Sequence, residues 1–134
     1  MSSGSNKEVV TAFMERFSSG DIDYAHELLA ENFEWEIPGN LAMAGLYDKK
    51  AFREVNEFLV KTFTEPPKWI PDSMTAENDK VAVEAHSIGD TKEGVAYRNR
   101  YHLLLTVADG KITRGVEYMD TKHVQEFLDS AGLG

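Results

Sequence analysis

Residues 95–120, VAYRNRYHLLLTVADGKITRGVEYMD, carry the pattern that decides the fold. The dipeptide Asp109-Gly110 favours a tight turn between antiparallel strands. Long segments rich in β-branched, aromatic and other apolar residues lie on both sides of this turn, as is typical of strands. We therefore predict strands over residues 95–107 and 111–120, joined as a hairpin.

Two more strands are predicted immediately before this hairpin, over residues 69–74 and 81–88. Their turns are marked by Glu77-Asn78-Asp79 and by residues 89–94, which begin and end with glycine. Because Pro71 cannot donate a hydrogen bond to a central ladder, the first of these strands should lie at a sheet edge. Four consecutive strands with short turns predict an antiparallel meander.

The N-terminal part of the chain carries helical patterns instead. Ser5 and Glu8 have the spacing of a capping box, so a first helix is expected to begin near Asn6. Gly20 suits the left-handed position that ends such a helix. Asp21 can cap a short second helix.

A predicted strand and two further helices complete the element order. Residues 33–37 alternate apolar and acidic side chains, which indicates a half-buried strand. Asp48 can cap a third helix that Pro66-Pro67 ends, and Thr121 can cap a short C-terminal helix. Helices segregated from a meander predict an α+β fold. We expect a cone-like roll, in which a curved sheet wraps over three N-terminal helices and leaves an apolar mouth for a small apolar ligand.

Composition limits the classes of function. The chain has 134 residues, so we predict a single domain over residues 1–134. Its formal net charge of −9 argues against nucleic acid and anionic membrane as partners. Because no apolar run has the length of a membrane span and no signal peptide is visible, cytoplasmic residence is expected.

Several kinds of chemistry are absent from the sequence. There is no cysteine, and the four histidines lie far apart without metal-ligand spacing. No glycine-rich phosphate loop or nucleophile elbow is present. We predict neither a metal nor a cofactor, so any reaction must use carboxylates, tyrosines or amides.

The hairpin leaves two registers open. A two-residue loop sets Ala108 opposite Lys111 and Glu117 opposite His102, whereas a three-residue loop with a bulge at Gly110 sets Glu117 opposite Tyr101. A slip of one residue exchanges the two faces of the strand, and the pattern alone does not choose between them.

The same hairpin resembles a known family. Residues 97–105, residues 109–112 and Glu117-Tyr118-Met119-Asp120-Thr121 resemble the closing hairpin of SnoaL-like proteins. These belong to the nuclear-transport-factor-2-like superfamily, with ketosteroid isomerase, limonene epoxide hydrolase and polyketide cyclases. The likeness extends over nearly the whole chain and implies the cone-like fold. This fold hosts isomerases, hydrolases, cyclases and non-catalytic binders, so function must be argued from the site.

The resemblance favours the bulged register, with Glu117 inside the cone. A carboxyl in an apolar cup has a raised pKa and can serve as a general acid or base, while Tyr101 and Asn99 can donate hydrogen bonds to a developing oxyanion. These three are the candidate catalytic residues. The candidate ligand-binding residues are aromatic or sulfur-containing: Trp35, Phe13, Phe17, Met119 and Tyr47.

The chain departs from the catalytic patterns of both enzymes that it resembles. Glu117 matches the catalytic acid of limonene epoxide hydrolases, but their partner arginine and second aspartate would fall near Ala85 and Ser87. Ketosteroid isomerase has an aspartate before a proline on the first strand, where this chain has Ile37. The leading hypothesis is a cofactor-independent isomerase, cyclase or hydrolase. The alternative is a non-catalytic ligand-binding or dimerisation module.

The outer face of the sheet predicts a homodimer. In the bulged register Glu84 would lie opposite Arg100, and the face would be too apolar to remain fully in water. The residues expected on it are Glu84, His86, Arg98, Arg100, His102, Leu104, Ile112, Val116 and Tyr118.

Overall fold

A computed structural model describes residues 3–133, and within them the α+β prediction is confirmed. The helices segregate from the strands as the sequence pattern required. The elements are α1 (Ser3–Ser18), α2 (Ile22–His26), β1 (Leu29–Ile37), β2 (Gly45–Asp48), α3 (Lys49–Thr62), β3 (Lys68–Glu77), β4 (Lys80–Asp90), β5 (Ala96–Tyr97), β6 (Arg100–Ala108), β7 (Lys111–Met119) and α4 (Thr121–Ser130).

The strands form one curved, unclosed mixed sheet in the order β2-β1-β7-β6-β4-β3, with β5 paired to β4. The predicted meander is confirmed, since β3, β4, β6 and β7 are antiparallel neighbours. Pro71 lies on β3 at the edge, as predicted. The first strand, β1, closes the other side by pairing parallel to β7. Helix α1 packs on β3, and α3 packs on β1.

The helix ends follow their capping residues with two corrections. Asp21 accepts a hydrogen bond from the Tyr24 amide (3.0 Å) and Asp48 one from the Ala51 amide (2.8 Å), as predicted. Helix α1, however, already begins at Ser3 and not near Asn6. Helix α4 is capped by Asp120, not Thr121, because Asp120 is the last residue with extended backbone geometry and its carboxylate accepts from the His123 amide.

Two strand predictions were incomplete. Strand β1 begins at Leu29 and not at residue 33, and the short strand β2 was not predicted. The predicted strand 95–107 is two strands, because Asn99 leaves the ladder between them. There the Asn99 amide donates to Ser87 Oγ (3.1 Å), and the Ser87 amide donates to the Asn99 carbonyl (3.0 Å).

Neither predicted register describes the whole β6–β7 hairpin. Asp109 and Gly110 form a two-residue turn with positive φ (51° and 77°) and set Ala108 opposite Lys111. The register then skips Thr113, so Glu117 lies opposite Leu103. The bulge is therefore at Thr113 in β7 and not at the predicted Gly110. The bulge at Thr113 nevertheless turns Glu117 to the inner face of the sheet. This is the face on which the predicted register with a three-residue loop also placed it.

The outer face of the sheet differs from the prediction. Ile112 precedes the bulge and is fully buried inside the cone. Glu84 lies opposite His102 and not Arg100. Leu104 and Tyr118 are exposed on this face, with Tyr118 54% accessible. The homodimer stays a prediction.

Membrane-spanning helices and clusters of metal ligands are both absent from residues 3–133. None of the helices described there is long and apolar enough to cross a membrane. Nor does that part of the chain bring three or more histidine, aspartate or glutamate side chains together as a metal site.

Candidate functional site

The cone holds a cavity of about 110 Å³ between the inner face of the sheet and helices α3 and α4. At roughly 10–15 Å³ for each water-sized sphere, it has room for a molecule of one or two rings. The wall is largely apolar and aromatic. Its lining residues are Phe17, Trp35, Ile37, Met43, Tyr47, Phe52, Val55, Asn56, Leu59, Phe63, Pro67, Lys68, Trp69, Ser87, Tyr97, Tyr101, Glu117, Val124, Phe127 and Leu128.

Glu117 provides a carboxyl group in this wall. The Trp35 indole Nε1 donates to Glu117 Oε1 at 2.9 Å, because β1 and β7 pair in parallel and bring the two side chains to the inner face. Loss of hydration raises the pKa of Glu117 from 4.5 to about 7, and the Trp35 hydrogen bond opposes part of that rise. The group can therefore be either an acid or a base near neutral pH.

Three hydroxyl groups form a second polar feature of the wall. The Tyr101 hydroxyl lies 3.0 Å from Ser87 Oγ and 2.9 Å from the Tyr97 hydroxyl. Burial raises the pKa of Tyr97 to about 12 and that of Tyr101 well above 10, and the charge of Glu117 adds to both rises. Both phenols stay protonated at physiological pH and remain hydrogen-bond donors.

Trp69 contributes a donor without an acceptor. Its Nε1 is buried and, among residues 3–133, has no hydrogen-bond partner. Trp69 lies opposite Ser87 in the β3–β4 register, and its ring meets that of Tyr101 edge to face at 5.9 Å. An unsatisfied buried N–H is destabilising by about 1–3 kcal/mol, and this one is enclosed by protein atoms.

Comparison with known proteins agrees with this architecture. A family model described as a SnoaL-like domain matches residues 10–115. The chain belongs to the SnoaL-like family. No match was found among curated proteins.

Several solved structures of the superfamily are similar in fold to this SnoaL-like chain. An NTF2-like protein from Burkholderia xenovorans LB400 is 25% identical, with a TM-score of 0.74 over 94% of this chain and 97% of that one. IdmH from Streptomyces antibioticus, provisionally described as a polyketide cyclase, is 19% identical with a TM-score of 0.77, covering 92% and 98%. BvnE pinacolase from Penicillium brevicompactum is 12% identical with a TM-score of 0.83, covering 96% and 95%. The last two similarities show the fold alone.

Five of the eight residues proposed from the sequence line the cavity of the SnoaL-like chain. They are Glu117, Tyr101, Trp35, Phe17 and Tyr47. Tyr47 is held by its hydroxyl, which donates to the Met43 carbonyl at 2.5 Å.

The other three do not line it. Asn99 is buried and uses its amide on the Tyr97 hydroxyl and on backbone groups, so it supports the hydroxyl cluster from behind. Phe13 is fully buried in the core against Trp35 and Trp69. Met119 packs against the same core.

Sequence reasoning missed four polar residues that line the cavity: Tyr97, Ser87, Asn56 and Lys68. Tyr97 and Tyr101 were visible as a pair four residues apart, but the strand break between them was not. Asn56 gave no signal beyond its place in an amphipathic helix. The apolar stripe Val124, Phe127 and Leu128 was visible, yet only the structure shows that α4 forms a wall of the cavity.

Proposed function

We propose that this SnoaL-like protein binds a small, mainly apolar molecule in the cone and that Glu117 exchanges a proton with it. The observation that carries the proposal is the Glu117 carboxyl in the wall of an apolar cavity, where, within residues 3–133, its one side-chain hydrogen bond comes from Trp35 and burial raises its pKa to about 7. A general acid or base works best when its pKa lies close to the operating pH. Proton transfer of this kind requires no cofactor.

The contact with Trp35 supports the role of Glu117 as a base. The indole N–H occupies Oε1, which fixes the carboxyl plane and leaves Oε2 for a ligand. One hydrogen bond stabilises the ionised form without quenching its basicity, because the pKa still lies well above that of a solvated glutamate.

The protonated donors of the wall favour a ligand that carries a carbonyl or phenolic oxygen. Hydrogen bonds from Tyr101 or Ser87 would stabilise negative charge developing on such an oxygen when a proton is removed nearby. A fold shared with a pinacolase and a provisional polyketide cyclase supports this ligand class, since polyketides are rich in enolisable carbonyls. We infer isomerase or cyclase chemistry before hydrolysis, because the resemblance to limonene epoxide hydrolases would set their arginine and second aspartate near Ala85 and Ser87, which cannot do that work.

A Kemp elimination tests the base without the natural substrate. In this reaction a base takes the C–H proton of 5-nitrobenzisoxazole, the N–O bond breaks, and a nitrile and a phenolate form. We expect saturable turnover that rises with pH around a midpoint near 7, as Glu117 ionises. The phenolate absorbance measures the rate.

The exposed Glu34→Gln variant is the matched control, since it removes one carboxylate from β1 outside the cavity and should leave the pH–rate profile unchanged.

Saturable binding without turnover would instead support the non-catalytic binding module. That module is the second candidate because both catalytic patterns of the relatives are broken.

The hydroxyl cluster gives a second prediction. Tyr101→Phe is expected to lower the Kemp rate about 10-fold, because it removes a donor that stabilises the leaving phenolate. The midpoint of the pH profile should stay near 7, since Glu117 keeps its own hydrogen bond. Tyr118→Phe, which removes an exposed hydroxyl from the outer face, is the control. Equal rates for the two variants would contradict a role for the cluster.

A further inference from the structure

Behind the cavity wall, His26 of α2 and Asn56 of α3 form a buried polar pair. Asn56 Nδ2 lies 3.1 Å from His26 Nε2, and the two residues are only 2% and 5% exposed. Asn56 also lines the cavity. It is the only side-chain amide among the lining residues of the described chain, so its orientation decides what the α3 wall offers a ligand.

His26 is neutral, which fixes its part in the pair. Burial and the positive charges of Arg53 and Lys49 lower its pKa from 6.5 to about 4, against a smaller opposite effect of Asp23 and Glu57. The ring packs against Phe52 at 5.6 Å between centroids. With Asn56 Nδ2 beside it, the neutral Nε2 is the acceptor and the amide is the donor.

The oxygen of the Asn56 amide is thereby left for the cavity. Among residues 3–133, Oδ1 accepts no hydrogen bond. The oxygen is not sealed inside the protein either, because the buried polar side-chain atoms without partners in that range belong to Asn6 and Trp69. Asn56 therefore presents an unsatisfied acceptor from an apolar helix face.

We propose that Asn56, held in place by His26, is a specificity-determining residue that selects ligands carrying a hydroxyl or N–H donor. The inference rests on the proposed function, because it assumes that the cone takes a ligand. Asn56 would recognise the ligand from α3, whereas Glu117 would contact it from β7. His26 acts as a positioning residue, since it touches the amide and not the ligand.

A matched pair of probes tests this proposal. Equilibrium dialysis at pH 7 would compare 2-naphthol, which has a donor, with 2-methoxynaphthalene, which has none. We expect the wild-type protein to bind 2-naphthol about 5- to 10-fold more tightly, as one buried hydrogen bond allows. In Asn56→Leu the ratio of the two affinities should fall close to one, while 2-methoxynaphthalene still binds.

A second variant guards against misfolding, because Asn56→Leu alone leaves His26 Nε2 without its donor. His26→Phe/Asn56→Leu replaces both partners with apolar groups, which is less disruptive than removing one. It should show the same loss of preference, and the exposed Asn32→Leu should keep the wild-type ratio.

The outcomes distinguish the specificity proposed for Asn56 from the proposal that the cone binds a ligand. A preference that survives in both Asn56 variants would assign the acceptor to Glu117 and overturn the role of Asn56. Equal binding of both probes to the wild-type protein would overturn it too, while leaving ligand binding in the cone intact. Binding of neither probe would overturn the ligand-binding cavity itself and the specificity proposal with it.

Discussion

Glu117→Gln is expected to lose the Kemp activity by a factor of about 10²–10⁴ and, in the same protein, to make the fold more stable at alkaline pH. The activity falls because glutamine cannot accept the proton. Its amide oxygen can still accept from Trp35 Nε1, so the cavity keeps its shape. The loss of activity is then attributable to the carboxylate and not to a collapsed site.

The gain in stability follows from the raised pKa. Between pH 4.5 and 7 the folded protein holds a proton on Glu117 that the unfolded chain releases. The free energy of unfolding of the wild type therefore falls as the pH rises through this window, by up to about 3 kcal/mol above it. Glutamine does not titrate, so the difference between variant and wild type should grow from pH 5 to pH 8.5.

Urea denaturation of both proteins at several pH values measures this difference. The lowered pKa of His26 acts in the opposite direction, since the unfolded chain takes up a proton between pH 6.5 and 4 and stability is lost as the pH falls through that window. That contribution is present in both proteins and cancels in the comparison. A stability difference that does not change with pH would mean that Glu117 ionises as a solvated glutamate does.

Much of the fold follows from local signals in the sequence. Asp21 and Asp48 cap helices because a carboxylate can satisfy free backbone amides wherever a helix starts. Pro71 marks an edge strand because it lacks the donor that a central ladder needs. These are properties of single residues, so a single sequence contains them.

The details of the site depend on relations between distant strands. The bulge at Thr113 decides which face Glu117 occupies, and no local pattern distinguished it from a bulge at Gly110. The hydrogen bonds of Asn99 to Ser87 interrupt a segment that reads as one continuous strand. Asn99 has the right chemistry for a catalytic donor, but its amide is already used behind Tyr97. Burial and partner choice of this kind arise only from tertiary packing.

The close packing of Trp35 on Gly115 connects the core to the proposed base. A Cβ at position 115 would lie 2.2 Å from Trp35 Cζ3 and 2.3 Å from Cε3, well inside contact distance. The indole cannot retreat freely, because the rings of Phe33, Phe52 and Trp69 surround it with centroids 4.9–6.1 Å away. Glycine is therefore required at this position for space and not for a left-handed backbone.

Gly115→Ala is accordingly expected to lower the free energy of unfolding by about 1–3 kcal/mol, or more, as overpacking of a filled core does. A displaced indole would also withdraw its N–H from Glu117. Because that hydrogen bond lowers the pKa of the carboxyl, its loss should move the midpoint of the Kemp profile above 7. Urea denaturation and the pH–rate profile measure the two effects in one variant.

Trp35→Phe provides the matched background for this test, since phenylalanine does not reproduce the benzo ring that the new methyl group would strike. Gly115→Ala should be less destabilising in Trp35→Phe than in the wild type, so the two substitutions should not be additive. The midpoint should rise in Trp35→Phe and should not move further when Gly115→Ala is added. Additive losses of stability would show that the methyl group is accommodated without moving the indole. A pH–rate midpoint that stays near 7 in Gly115→Ala would show that the packing of Trp35 does not control the basicity of Glu117.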